Sequence, residues 1–81
     1  MKKSSFVVPG VRVGRSSEEV TFHFVGKNNY RCTAQGRAPL RVFYSSEDRL
    51  FKAEMAGRTG MVFAKTADLA FARAVRVFWN P

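Results

Sequence analysis

Tyr30-Arg31-Cys32-Thr33-Ala34-Gln35-Gly36-Arg37 recurs 21 positions later as Phe51-Lys52-Ala53-Glu54-Met55-Ala56-Gly57-Arg58. Both copies read aromatic, basic, small, polar, apolar, variable, Gly, Arg. Phe22 and Phe43 extend the correspondence upstream at the same offset, and a further Gly-Arg, Gly14-Arg15, lies 22 positions before Gly36. A period of this length marks a repeated supersecondary unit. Within each copy apolar and polar residues alternate, as in a half-buried strand, and the Gly-Arg that follows is a turn. The repeated unit is therefore read as a β-hairpin.

The same alternation runs outward in both directions. Val11 and Val13 flank Arg12; Val20, Phe22 and Phe24 alternate with Thr21 and His23; Leu40, Val42 and Tyr44 alternate with Arg41 and Phe43. Met61 to Ala64 makes a last short strand. Turn clusters separate the runs at 26–29, 36–39, 45–48 and 57–60, the pattern of an antiparallel meander. The ending differs. Thr66 is an N-cap residue and Asp68 falls in the first turn, where negative charge suits the helix dipole. From Ala67 to about Phe78 the chain reads as a helix, with Ala67, Phe71, Ala74, Val75 and Phe78 on one side. Arg73 and Arg76 fall opposite, with Leu69 among them. Val75–Trp79 also alternates and would suit a strand, but four alanines and Leu69 between 67 and 74 favour the helix.

These readings predict an α+β fold, an antiparallel β-meander of five to six strands with one C-terminal α-helix packed on one face. Residues 1–5 are expected to be a frayed basic terminus and residues 6–81 a single domain. The expected helix-facing set is Val20, Phe22, Phe24, Tyr30, Cys32, Leu40, Val42, Tyr44, Phe51 and Met55. One helix does not cover six strands, so the sheet is expected to curl or the chain to form a homodimer.

Eighty-one residues with 46% hydrophobic content suffice for one modest core. Fourteen Lys and Arg, nine of them Arg, against six acids give a net charge of +8. That excess favours an anionic partner, either nucleic acid or an acidic protein surface, although charge also serves solubility alone. The lone Cys32 excludes an internal disulfide and fits a reducing, cytoplasmic setting. Phe6-Val7-Val8 is too short for a signal peptide core, and no apolar stretch has membrane-spanning length, so no membrane partner is expected.

Period two decides where the charge lands. With the apolar set inward, Arg12, His23, Arg31, Arg41 and Lys52 point outward together, with Phe43 among them and Glu54 the one acid. Cations around an exposed ring suit single-stranded nucleic acid, the cations following phosphates and the ring stacking on a base. A solvated sheet face, with Phe43 under a loop or in a dimer contact, has the same pattern. In a meander alternate turns share an end, so Arg15, Arg37 and Arg58 form a row, about 10 Å between neighbours. Each follows a glycine, and guanidinium beside a free backbone amide makes a second candidate anion site.

No catalytic constellation emerges. Gly60–Thr66 lacks the glycines of a phosphate loop. His23 is the single histidine, so no His pair can hold a metal. Cys32 falls on the core side, the serines lie in turns, and the six acids form no obvious couple. No enzyme, metal or cofactor is expected. Residues 51–78 resemble the second half of a double-stranded-RNA-binding domain: strand, turn, strand, then an alanine-rich helix. That family has a helix before its sheet and several lysines at the start of its last helix, where this chain has strands and only Lys65. No functional residues carry across.

The expected function is a small non-enzymatic basic domain that binds nucleic acid through phosphate contacts on the open face. The alternative is an inhibitor or adaptor docking on an acidic surface of a larger complex. In length and in lacking catalytic residues the chain is similar in style to phage-encoded inhibitors such as anti-CRISPR proteins. Phe43, Leu69 and Trp79 would then be exposed contact anchors.

Overall fold

Six strands follow one another across a single sheet in chain order, every neighbouring pair antiparallel. In the computed structural model, which describes residues 5–58 and 60–80, they are β1 (Ser5–Val13), β2 (Ser16–Gly26), β3 (Asn29–Thr33), β4 (Leu40–Ser45), β5 (Leu50–Met55) and β6 (Val62–Ala64). Helix α1 (Ala67–Ala74) follows and continues as a π-helical turn over Val75–Trp79. The fold is thus the α+β meander with a C-terminal helix, and the strand alternative for 75–79 is excluded. Of the expected frayed terminus, Met1–Ser4 lie outside the described residues, while Ser5 already belongs to β1, opposite His23. Among the described residues no helix is long and apolar enough to cross a membrane.

The sequence repeat is a structural repeat. β3 and β5 run in the same direction, and each ends in a turn whose glycine has positive φ, +74° at Gly36 and +80° at Gly57. Only glycine adopts that conformation freely. The Arg37 N–H donates to the Ala34 carbonyl at 3.2 Å, and the Arg58 N–H to the Met55 carbonyl at 3.1 Å. Those two bonds are themselves 21 residues apart. The extension to Phe22 and Phe43 fails. A 21-residue offset carries the pair Phe22–Cys32 onto Phe43 and Ala53, yet Phe43 pairs with Lys52. Register slips by one residue because β2 carries a bulge between Phe24 and Gly26, and one residue moves a side chain to the other face. Phe22 therefore faces the helix side and Phe43 the open side.

A second bulge, between Val8 and Val11 of β1, holds Pro9 and Gly10. Proline is tolerated there because this strand is an edge. The extra residue keeps Val8, Val11 and Val13 on the helix side and leaves Arg12 on the open side.

The core contains Val13, Val20, Cys32, Leu40, Val42, Ala53, Ala64, Ala70, Ala74, Val75, Phe78 and Trp79. Phe22, Tyr30, Phe51, Met55 and Phe71 pack against it half-buried. Two of the expected core residues are exposed instead: Phe24 and Tyr44, 38% and 41% accessible. The reason is coverage. α1 lies on β4, β5 and β6, so the far ends of β2 and β4 have no helix above them. Their rings pack edgewise on neighbours instead, Phe24 on Tyr30 and Tyr44 on Phe51. The shortest dimension, 21 Å, is that of one helix layer on one sheet.

Both helix ends are fixed by side chains. The Thr66 hydroxyl accepts the Leu69 N–H at 3.2 Å, with Asp68 in the first turn. At the other end the Trp79 indole N–H donates to the Ala38 carbonyl at 3.1 Å. The Asn80 side-chain amide donates to the Arg12 carbonyl at 3.0 Å and accepts the Gly14 N–H. The Asn80 N–H reaches back to the Val75 carbonyl at 2.9 Å, five residues away, which closes the π turn.

Trp79 consequently carries both packing and a tertiary hydrogen bond. Trp79→Ala should cost about 3–5 kcal/mol, whereas Trp79→Phe, which keeps much of the ring, should cost about 1–2 kcal/mol. Urea unfolding of both variants checks this; a Trp79→Ala variant as stable as the parent would contradict the docking of the helix end.

Candidate nucleic-acid interface on the open sheet face

Each strand sends alternate side chains away from the helix, and the register lines them up in rows. One row is His23–Arg31–Arg41–Glu54, across β2 to β5. The next is Asn29–Phe43–Lys52–Phe63, across β3 to β6. Arg12 stands on the same face, opposite Ser17. The structure thus brings Arg12, Arg31, Arg41, Phe43 and Lys52 to one surface.

Their charges are not equally free. Arg31 and Arg41 stand directly opposite, a repulsive arrangement for like charges. Arg41 is drawn the other way, to Glu54 at 3.1 Å, and its guanidinium lies 4.2 Å from the centre of the Phe43 ring. Phe43 therefore has a cation over one face already. Lys52 is held by Asp48 at 2.7 Å and lies 5.1 Å from the centre of the Phe63 ring. Its hydrogen bond to Asp48, and then that from Ser45, holds the Asp48 carboxyl below its ordinary value. Arg12 and Arg31 have no acidic partner among the described residues. His23 shares a hydrogen bond with Thr33, Nε2 to Oγ1 at 3.3 Å.

The open face is concave in two places. A groove of about 440 Å³ runs across β3, β4 and β5, bordered by Val25, Asn29, Arg31, Arg41, Glu54 and the Pro39 turn. A wider recess of about 750 Å³ lies over the start of β2 and the end of β3, lined by Glu18, Glu19, Thr21, Thr33 and Gln35. The first is basic and apolar, the second acidic and hydroxylic. A polyanion would be drawn to the first and repelled from the second.

The rim is organised differently from the expected anion row. The three Gly-Arg turns do share one end: Nη2 of Arg37 lies 3.8 Å from where a Cβ on Gly14 would stand. The backbone amides of Arg37 and Arg58, however, are consumed inside their turns. Arg37 also lies 3.9 Å from Glu18, and Arg58 sits 6.0 Å from the centre of the Phe78 ring. This end of the sheet receives the helix C-terminus, and of the three turn arginines Arg15 alone is without such a contact among the described residues.

Trp79, expected as an exposed anchor, is buried with its indole N–H satisfied. Leu69 is exposed, as its place among the helix arginines implied. Two open-face residues escaped sequence reasoning. Phe63, 42% exposed, lies opposite Lys52, but a three-residue strand is too short for alternation to assign its face. Asn29 reads as a turn residue, yet it is the first residue of β3. Cys32 is fully enclosed, and burial pushes its thiol up to about 12, so it stays protonated and inert.

Because Lys52 lowers the Asp48 pKa, the pair contributes stability above the ordinary carboxyl value of 3.8 and loses it as pH falls through the depressed one. An NMR titration should place the Asp48 midpoint below 3.8, and Lys52→Met should raise it. A midpoint at or above 3.8 in the parent would remove Lys52 from this pair and return its charge to the face.

Comparison with protein-family models, curated proteins and solved structures found no match to this chain.

Proposed function

We propose that this chain is a small, non-enzymatic module that binds single-stranded nucleic acid across its open sheet face. The observation that carries the proposal is the row His23–Arg31–Arg41 lying beside a row that holds two aromatic rings, Phe43 and Phe63. Cations across adjacent strands follow a phosphate backbone, and rings or guanidinium planes between them receive bases. Arg31 and Arg12 supply the unpaired charge. Arg41, stacked on Phe43, offers the outer face of its guanidinium to a base. Glu54 and Asp48 hold the other two cations in place and moderate their charge.

Affinity should therefore fall with salt. Arg12→Gln combined with Arg31→Gln should flatten the salt slope by about 1.4, near 0.7 per lost single-strand phosphate contact, and weaken all sequences alike. Glu54→Gln should do the opposite: it frees Arg41 and strengthens binding at low salt. Arg15→Gln, on the rim, should change little. Fluorescence anisotropy with single- and double-stranded oligonucleotides over a salt series measures all four. No binding near ~50 mM salt, or tighter binding by the double variant, would reject the proposal.

A second reading rests on the other side of the sheet. Phe6, Phe24 and Tyr44 are exposed beside the helix, and Leu69 is exposed on it. Such rings, on a basic chain, suit an inhibitor or adaptor that docks on an acidic protein surface. Loss of a stoichiometric protein partner on Phe24→Ser and Tyr44→Ser, but not on Arg31→Gln, would favour it.

A further inference from the structure

We propose that the groove between Val25 and the Pro39 turn takes one unstacked nucleobase, with Asn29 at the base edge and Arg31 on its phosphate. This inference rests on the open face being a nucleic-acid surface and names the subsite within it.

The groove is built by local irregularity. The β2 bulge removes Val25 from the ladder and leaves it 64% exposed at the groove wall. Bulges commonly re-aim a side chain in this way. Pro39 borders the opposite side, so an apolar residue stands at either end. Between them lies the Arg41 guanidinium, fixed at one side by Glu54 and beneath by Phe43. The guanidinium is a planar surface on which a planar ring can stack. The volume of about 440 Å³ falls within the range of small-ligand pockets, about 300–1,000 Å³.

The polar groups select the ligand. Oδ1 of Asn29 is enclosed and has no hydrogen-bond partner, while the residue borders the groove. A half-turn of the amide exchanges its oxygen and nitrogen. Because the oxygen has no partner in the fold, that half-turn breaks no hydrogen bond through it. As placed, the enclosed oxygen does not face the groove; the half-turn is what would present an acceptor there, and the amide can then meet the mixed edge of a base. Glu54 adds an acceptor at the wall, which suits ring N–H and amino groups and disfavours a carboxylate ligand. Arg31, without an acidic partner, is placed for the attached phosphate. Glu19, on the open face in the neighbouring recess, makes that side less favourable to the backbone than the Arg31 side.

The test compares one short single-stranded oligonucleotide with an abasic strand of the same phosphate number, at one salt concentration. The parent should prefer the base-bearing strand by about tenfold. Asn29→Ala and Val25→Ala should each shrink that preference, with melting temperatures near the parent's. Val25 is exposed, so its variant carries the test should Asn29→Ala destabilise the fold. Arg31→Gln should weaken both strands equally and leave the preference intact. Equal parent affinity for the two strands would overturn the base subsite while leaving the open-face reading standing. A preference unchanged in Val25→Ala would place the base elsewhere. Binding of neither strand would overturn both proposals.

Discussion

One short helix must close the core of a six-stranded sheet, and the contacts that hold its C-terminal end are the constraint on which the rest depends. Trp79 and Asn80 reach the turns after β1 and β3 through Ala38, Arg12 and Gly14. Those turns lie at one end of the meander because connections between antiparallel neighbours alternate ends. Fixing the helix there sets it over β4 to β6 and decides which face is dry. Period two then assigns every other strand residue to the opposite, wet face. The rows of charge on the open side are thus a consequence of how the helix is seated.

The composition of that open face follows from electrostatics at short range. Five basic or titratable side chains across neighbouring strands would repel one another if all were unpaired. Glu54 and Asp48 relieve this where the strands are most crowded, and two phenylalanine rings carry the hydrocarbon and cationic parts of Arg41 and Lys52. What is left for a partner is Arg31, which borders the groove with apolar ends, and Arg12, which stands on the edge strand opposite Ser17 of the acidic recess. The formal charge of +8 overstates what this face presents, because several arginines lie on the rim or the helix.

Much of this was legible in the chain. Alternation placed Arg31, Arg41, Phe43 and Lys52 together, and the 21-residue repeat identified β3 and β5 as equivalent strands. The Thr66 cap and the alanine content located the helix. What was not legible required knowing registers and lengths in space. A one-residue bulge broke the apparent equivalence of Phe22 and Phe43. The helix's position over one side of the sheet exposed Phe24 and Tyr44, whose alternation is indistinguishable from that of buried residues. Trp79 lies in a π turn, whose widened geometry carries no residue pattern. Glu54 was visible as the one acid of the face, but its pairing with Arg41 depends on the β4–β5 register. Asn29 looks like any turn asparagine until β3 sets it at the groove border with an enclosed, unpartnered oxygen.

On the proposed function the open face, and not the helix side or the rim, receives a single strand. A titration of isotope-labelled protein with a short single-stranded oligonucleotide, followed by amide and side-chain NMR shifts, tests that most directly. The largest changes are expected at Arg31, Arg41, Phe43, Lys52 and Phe63, with Phe24, Tyr44, Leu69 and Arg58 nearly unmoved. Changes concentrated on Phe24, Tyr44 and Leu69, or on Arg15, Arg37 and Arg58, with the open-face residues silent, would contradict it.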